Sequence, residues 1–362
     1  MGINDIYEAS QPQYRLESMM YNSQAKLKIV FFTAIIVLSG VTVTFAGTAA
    51  AQDSSFVDVD PSVLDGSGTG DNPYVVTNAS ELQAMEDDLD ASYTLGNSID
   101  ASETANWNNG SGFNPVGNSS TFTGALSGQR YSVTGLTINR SNSDQVGLFG
   151  TMSGDVTDIS VSHANINGSK HVGVLIGEKT GGIVRNVSAS GNVTGTHRIG
   201  GLMGANRDGT VTKSAADTAV TGRTSDRNFS IGGLVGDNIG TVKNSSASGE
   251  VTGDSGVGGL VGYNYETVSN SYATGSVTGS GDNVGGLVGG FTSGTDPEVR
   301  ESYWDTQTTG QSTSAGSAEG LTTVEMTGEA ARGSMTGLAF DEAWQTQIGE
   351  YPALTGVDTI EE

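Results

Sequence analysis

A short phrase recurs six times in the middle of the chain: Val-Gly or Ile-Gly, followed by Leu, a hydrophobic residue and Gly. Its closing glycines are Gly150, Gly177, Gly204, Gly236, Gly262 and Gly289. The differences between these positions are 27, 27, 32, 26 and 27 residues. A fixed period of this length is typical of repeat arrays, in which each unit packs against its neighbours. The sequence therefore predicts an elongated solenoid.

The second half of each repeat indicates what kind of solenoid this is. In residues 184–189, 242–247 and 268–273, a valine is followed by small or apolar residues at the third and fifth positions beyond it. The fourth position is mostly polar and variable. This alternation is typical of a half-buried strand, and no repeat has apolar residues at helical spacing. We expect an all-β fold, a parallel β-helix with coils of about 27 residues and Gly- and Asn-marked corners.

One repeat resembles a known family closely. Residues 266–279 read Glu-Thr-Val-Ser-Asn-Ser-Tyr-Ala-Thr-Gly-Ser-Val-Thr-Gly, which is similar to the GLUG-motif repeats of secreted and cell-surface proteins. The resemblance extends over roughly residues 65–355. It implies a right-handed β-solenoid at the cell surface, and the motif itself is structural.

The N-terminal residues predict export. Lys26 and Lys28 precede an apolar stretch at residues 29–46, and three alanines at 49–51 offer a cleavage site. This pattern is typical of a secretory signal. The alternative is an uncleaved membrane anchor, because the stretch has the length of a short span. We predict an extracellular or cell-surface protein, with membrane contact only if the segment stays uncleaved.

The chain is strongly acidic and contains no cysteine. Asp and Glu total 40 against 16 Lys and Arg, a net charge of −24. Residues 1–51 contain three of each sign, so the predicted mature chain has 37 against 13 and keeps the same net charge. This composition favours a halophilic source, since salt screens the self-repulsion. It argues against nucleic acid as a partner, and the lack of cysteine excludes disulfides.

The pattern divides the chain into six parts. They are a signal peptide at 1–51, an acidic leader at 52–72, an N-terminal cap with the first coils at 73–145, the GLUG-type repeats at 146–304, a linker at 305–320 and a C-terminal module at 321–362. Ser80 is predicted to cap a short helix that closes the N-terminal end. Trp304 falls in the column that holds Ala189, Ala216, Ala247 and Ala273, so we expect the stack to end there.

Sequons suggest sites for N-linked glycans. Asn109, Asn118 and Asn228 lie in predicted loops and are the best acceptors. Asn186 and Asn244 fall instead in a repeating corner column, where an unmodified Asn side chain would bond to the turn backbone.

A search for chemistry yields no catalytic residues, no metal site and no cofactor. Asp155 and Asp158 form an isolated acidic pair. His171 and His197 precede adjacent glycine phrases and could approach each other, but no further ligands accompany them. We therefore predict that the protein is not an enzyme.

The most unusual local feature is a basic window. Residues 170–243 contain nine basic and five acidic side chains, a local charge of +4. Arg198, Arg223 and Arg227 are the candidate ligand-binding residues, because arginine binds sulfate or carboxylate groups bidentately. The alternative interpretation is that these residues form ion pairs within the protein.

These observations favour a non-enzymatic secreted or surface-associated β-solenoid that mediates adhesion or envelope interaction. The expected partners are an anionic surface glycan or envelope proteins. Two alternatives stay open: a carbohydrate-active enzyme, either a polysaccharide lyase or a glycoside hydrolase, on the same scaffold, and a purely structural envelope component.

Overall fold

The computed structural model describes residues 59–223, 230–291 and 297–357. The predicted signal segment at 1–51 lies outside these residues. In the described part of the chain, no helix is both long and apolar enough to cross a membrane. The strands stack in parallel, coil upon coil, which confirms the predicted β-solenoid.

The largest sheet, sheet 1, runs the length of the solenoid. Its 18 strands are Tyr74–Val76, Ser92–Leu95, Ile99–Asp100, Ala125–Ser127, Ser132–Thr134, Thr137–Asn139, Asp155–Asn167, Ile183–Gly195, Thr210–Gly222, Thr241–Lys243, Ser246–Ala247, Val251–Gly253, Thr267–Ser269, Tyr272–Ala273, Val277–Gly279, Glu298–Arg300, Tyr303–Asp305 and Glu319–Leu321.

Two further sheets complete the coils. Sheet 2 contains Phe149–Met152, Ile176–Lys179, Met203–Asn206, Val235–Asn238, Val261–Asn264 and Val288–Phe291. Sheet 3 contains Lys170–Val172, His197–Gly200, Ile231–Gly232, Val257–Gly258 and Val284–Gly285. Each glycine phrase therefore begins one strand of sheet 2, all but the first also contribute to a strand of sheet 3, and the alternating second half of the repeat forms sheet 1.

The strand valines stack in register through the core. Val184 pairs with Val211, and the column continues through Val242, Val268 and Val299. All are buried. The same column extends upstream through Val156, Leu126, Tyr93 and Tyr74, so sequence before the first glycine phrase adds coils to the stack. Each fully buried valine contributes about 1.5–3 kcal/mol of hydrophobic stabilisation.

The second glycine of the Gly-Gly pair is needed because neighbouring coils approach each other closely there. A Cβ atom added at Gly233 would lie 2.1 Å from the carbonyl oxygen of Gly259. One added at Gly259 would lie 2.2 Å from the carbonyl oxygen of Gly286. The second glycine of the motif is therefore explained by the close contact between the backbones of neighbouring coils.

The asparagine corners have a different cause. Asn186, Asn244 and Asn270 have φ values of 53°, 47° and 50°. Asparagine tolerates this left-handed conformation better than most residues. Their corner positions agree with the predicted Asn column.

A buried polar ladder runs along the C-terminal ends of the sheet 2 strands. Asn206 donates its side-chain amide to Asn238 at 2.9 Å, and Asn238 donates to Asn264 at 2.8 Å. Lys179 occupies the preceding rung, where it is fully buried and its Nζ donates to the carbonyl of Gly154 at 2.5 Å. Burial lowers the pKa of Lys179 to about 8.

The N-terminal cap contains a helix at Ala79–Ala84 and 3₁₀ helices at Pro61–Val63, Met85–Asp87 and Ser102–Gly110. The predicted N-cap, Ser80, is wrong. Asn78 has the extended backbone of a cap, and its side chain accepts the backbone N–H of Glu81 at 3.0 Å. The described part of the acidic leader belongs to the cap as well, since the carbonyl of Gly68 accepts the N–H of Ser92 at 2.7 Å.

Trp304 ends the alanine column, and the short strand Glu319–Leu321 stacks on the strand that contains it. Trp304 pairs with Ala273 in the alanine column, as predicted, and is buried. Residues 305–320, predicted as a linker, pack on the last coil instead. The carbonyls of Thr309 and Thr313 accept the N–H groups of Val277 and Gly286 at 3.1 and 3.0 Å. These bonds satisfy two backbone N–H groups at the edge of the stack and hold the segment against it.

The C-terminal module turns back along the outside of sheet 1. It contains helices at Thr323–Met326 and Ala330–Ser334 and an antiparallel hairpin of Trp344–Gln347 and Glu350–Leu354. Its buried side chains form a second hydrophobic core with Tyr272 and Tyr303 of the solenoid.

Candidate functional site

A groove lies between the C-terminal hairpin and the outer surface of sheet 1. Its volume is about 260 Å³, close to the lower limit of about 300 Å³ for small-molecule sites. The solenoid wall consists of outward positions on successive coils: Ser188, Ala215, Asp217, Ser246, Ser248 and Thr274. The opposite wall consists of hairpin residues, among them Gln347, Glu350, Tyr351 and Leu354.

Tyr272 holds the two walls together. It occupies an outward column that holds Ala215 and Ser246 on the preceding coils and Tyr303 on the next one. Its hydroxyl donates to the carbonyl of Pro352 at 2.6 Å, and its ring centroid lies 5.1 Å from that of Trp344. Burial raises the pKa of the Tyr272 phenol far above its usual range, so it stays a donor.

A second bond fixes the hairpin wall. The hydroxyl of Tyr351 donates to Oδ2 of Asp305 at 2.7 Å. Burial, together with this carboxylate, raises the pKa of Tyr351 to about 12. The aromatic wall of the groove is therefore anchored to the last coil.

The groove displays hydroxyl, amide and carboxylate groups beside an aromatic ring. Ser248 Oγ donates to Asp217 Oδ1 at 2.9 Å, which orients that carboxylate. No basic side chain lines the groove within the described residues. Such a lining can accept and donate hydrogen bonds to a neutral polyhydroxylated ligand, whereas it would repel an anion.

Two arginines of the basic window form internal ion pairs. Arg198 Nε lies 2.6 Å from Asp237 Oδ2, and Arg207 Nε lies 2.7 Å from Glu178 Oε1. Between them, His171 Nε2 lies 3.1 Å from Arg198 Nη1 and 3.4 Å from Arg207 Nη2. Burial lowers the pKa of His171, and the two neighbouring guanidinium groups add to this effect, although Glu178 opposes it.

Arg223 is also bonded internally. Its Nη2 donates to the carbonyls of Ser141 and Gly168 at 3.0 and 2.5 Å. Arg227 and Asn228 lie outside the described residues. Arg198 thus forms an ion pair, as the alternative interpretation has it, whereas Arg223 bonds to backbone carbonyls, and ligand binding by the three arginines stays a prediction.

The remaining candidates occupy distinct places. Asn109 and Asn118 are exposed, as a glycan acceptor requires. Asn186 is half-buried, and its amide donates to Asp158 Oδ1 at 2.8 Å. Asp155 accepts the N–H of Ile183 at 2.8 Å.

The two histidines are not opposite each other. Strand register pairs His197 with Lys170, which sets His171 beside Arg198. Among the described residues, no group of three or more His, Asp or Glu side chains could hold a metal ion.

Sequence reasoning missed the groove. The available signal was the pair Tyr272 and Tyr303, two bulky aromatics in an outward column that holds Ala215 and Ser246 on the preceding coils. Their positions show where another element covers the sheet.

The fold defines the class of this protein, a parallel β-solenoid. Residues 227–252 and 253–278 match the GLUG motif, so these two coils are GLUG-motif repeats, as the resemblance implied.

Two relatives share sequence with this chain. Halomucin of Haloquadratum walsbyi is 37% identical over 307 residues, which is 81% of this chain and 3% of halomucin. A candidate Gly-rich membrane protein of Evansella cellulosilytica is 30% identical over 169 residues, which is 44% of this chain and 18% of that protein. The chain thus spans only a small part of the length of either relative.

A solved structure shares the fold. It is that of a candidate immunoglobulin A1 protease from Bacteroides ovatus, with a TM-score of 0.61 and 20% identity. The similarity covers 81% of this chain and 95% of that one. At this identity the likeness shows the fold alone.

Proposed function

We propose that this protein is a non-enzymatic, surface-associated β-solenoid that binds glycans of the cell envelope. The predicted export signal, the −24 net charge and the similarity to halomucin over 81% of the chain support this environment. The observation that carries glycan binding is the groove between the hairpin and sheet 1, with its hydroxyl, amide and carboxylate lining beside Tyr351.

This lining favours neutral sugar units. Sugar hydroxyls both donate and accept, and they match carboxylate acceptors such as Asp217 and Glu350 together with hydroxyl groups such as Ser246. The apolar face of a sugar ring can pack on the tyrosine ring. Hydrogen bonds of this kind tolerate high salt better than a Coulombic contact between exposed charges.

Retention on an immobilised neutral glucan at high salt tests the proposal. Ser246→Trp fills the groove from the solenoid wall and should abolish retention. Thr278→Trp places the same side chain at an exposed strand position that does not line the groove and should bind like the parent. Equal retention of both variants would show that the groove is not the binding site.

The enzymatic alternative has its own assay. Purified protein is incubated with neutral and acidic polysaccharides at high salt, and reducing ends and unsaturated products are measured. We expect none, because Asp155 and Asp158 are engaged in corner hydrogen bonds. Product formation above a heat-inactivated control would replace the non-enzymatic proposal.

A further inference from the structure

A second, more polar pocket lies at the N-terminal end, far in sequence from the groove. Its volume is about 430 Å³, within the range of small-molecule sites. The N-terminal cap contributes Gln83, Glu86, Asp87 and Asn108, the following loop contributes Ser111 and Asn114, and Arg140 completes the lining.

Hydrogen bonds hold the walls of this pocket in place. The amide of Gln83 donates to the carbonyl of Asn114 at 2.9 Å and accepts its N–H at 2.8 Å. Glu86 Oε2 accepts the N–H of Gly117 at 2.6 Å. Asn108 donates to the carbonyl of Gly112 at 2.8 Å. The polar groups are therefore positioned before a ligand arrives, which reduces the entropy lost on binding.

Arg140 is unusual in its surroundings. Between residues 52 and 169 the sequence contains only two Lys or Arg residues, Arg130 and Arg140. Arg140 is half-buried, and its Nε donates to the carbonyl of Phe113 at 3.2 Å. In the described part of the chain it forms no ion pair with a carboxylate. Burial lowers its pKa from the usual value.

The pocket wall formed by the N-terminal cap is acidic, in contrast to the basic Arg140. Burial raises the pKa of Glu86, and the neighbouring Asp87 adds to this shift, although the N–H of Gly117 opposes it. One wall of the pocket thus presents a guanidinium and the other presents carboxyl groups. A ligand that suits both carries one negative group and several hydroxyl donors.

We infer that this pocket binds a carboxylated sugar unit, a uronic acid, whose carboxylate contacts Arg140 and whose hydroxyls contact Gln83, Asn108 and the carboxyl wall. The inference rests on the proposed glycan-binding function and adds to it a class of acidic sugar and a second location. A planar guanidinium can bond a carboxylate bidentately, and such geometry persists where salt screens a simple charge contact.

Calorimetric titration of the full chain with glucuronate at high salt tests this, with glucose and acetate as comparison ligands. The parent should bind glucuronate, and neither comparison ligand should bind as tightly. Arg140→Gln should weaken glucuronate binding by about tenfold or more, and Arg140→Lys should also weaken it. Arg130→Gln removes the same charge from an exposed site outside the pocket and should leave binding unchanged.

A second variant tests the pocket independently, in case Arg140→Gln impairs folding. Ser111→Phe occupies the pocket and keeps every charge, and it should also abolish glucuronate binding. Parental affinity in Arg140→Gln, or equal affinity for glucuronate and either comparison ligand, would overturn the inference. Ser246→Trp should keep glucuronate binding while it loses neutral glucan, so failure of the groove proposal and failure of this one give different results.

Discussion

The hydroxyl of Tyr272 donates to the backbone carbonyl of Pro352 across 2.6 Å, which joins a solenoid coil to the C-terminal hairpin. The tyrosine points outward from sheet 1 and yet is buried. The module therefore shares a hydrophobic core with the coil on which it lies.

Replacing Tyr272 should loosen the module without unfolding the stack. Tyr272→Ala removes a buried aromatic ring and should cost about 3–5 kcal/mol of docking free energy. Tyr272→Phe loses only the hydrogen bond and should cost about 1 kcal/mol. Limited proteolysis should release a fragment from residues 321–357 in the alanine variant first. Equal resistance of both variants would show that the ring does not anchor the module.

Gly259→Ala should destabilise the solenoid by more than about 2 kcal/mol, because the new Cβ would lie 2.2 Å from the carbonyl oxygen of Gly286. Gly333→Ala is the matched control. It lies in a helix with no atom within 4 Å of its added Cβ and should stabilise by about 0.5–1 kcal/mol. Denaturant unfolding measures both. A loss at Gly333 equal to that at Gly259 would contradict the close-approach account.

Ala247→Glu should unfold the array, since it places an unpaired charge in a buried column; the expected loss exceeds about 4 kcal/mol. Thr278→Glu introduces the same charge at an exposed strand position and should be nearly neutral. Thermal unfolding at high salt compares them, and coincident midpoints would mean that the strand facing is wrongly assigned.

Lys179→Met should raise stability at neutral pH. The folded pKa of about 8 is below the reference value of 10.5, so the unfolded state binds more protons between these values and stability rises with pH there. The free-energy cost of burying the charged Lys179 side chain is about 3 kcal/mol below pH 8, and it disappears above pH 10.5. The difference in unfolding free energy between parent and variant should therefore shrink from pH 8 to 10.5. A constant difference would show that Lys179 is not desolvated.

Removing salt should weaken the fold. The −24 charge is screened within about 10 Å at ~0.1 M salt, and over longer distances as salt is removed. The β-sheet circular dichroism signal should fall on dialysis into low-salt buffer and return when salt is restored. A spectrum unchanged throughout would argue against dependence on screening.

The stacked columns could be predicted from sequence because counting residues from each strand valine fixes the register. Trp304 was placed beside Ala273 in this way, and the pairing is observed. Period-2 alternation also predicted that Ala247 is buried.

Three features could not be read from local pattern. Residues 305–320 have the Ser, Thr and Gly composition of both linkers and solenoid corners, so only contact with the last coil distinguishes the two. At the N-terminal helix, Asn78 and Ser80 are both good caps, and the backbone direction selects Asn78. The groove and the Arg140 pocket each require elements that are distant in sequence to meet, as Arg140 does with the cap helix.

Closure at Trp304 bears on how these molecules can associate. An open terminal coil would offer a row of unpaired amides and carbonyls, onto which another chain could add strands. Here Thr313 and Ala315 already bond to the last glycine phrase, and the indole of Trp304 donates to the carbonyl of Gln311 at 2.9 Å. Another chain could therefore add a strand beside the last glycine phrase only after displacing residues 313–315.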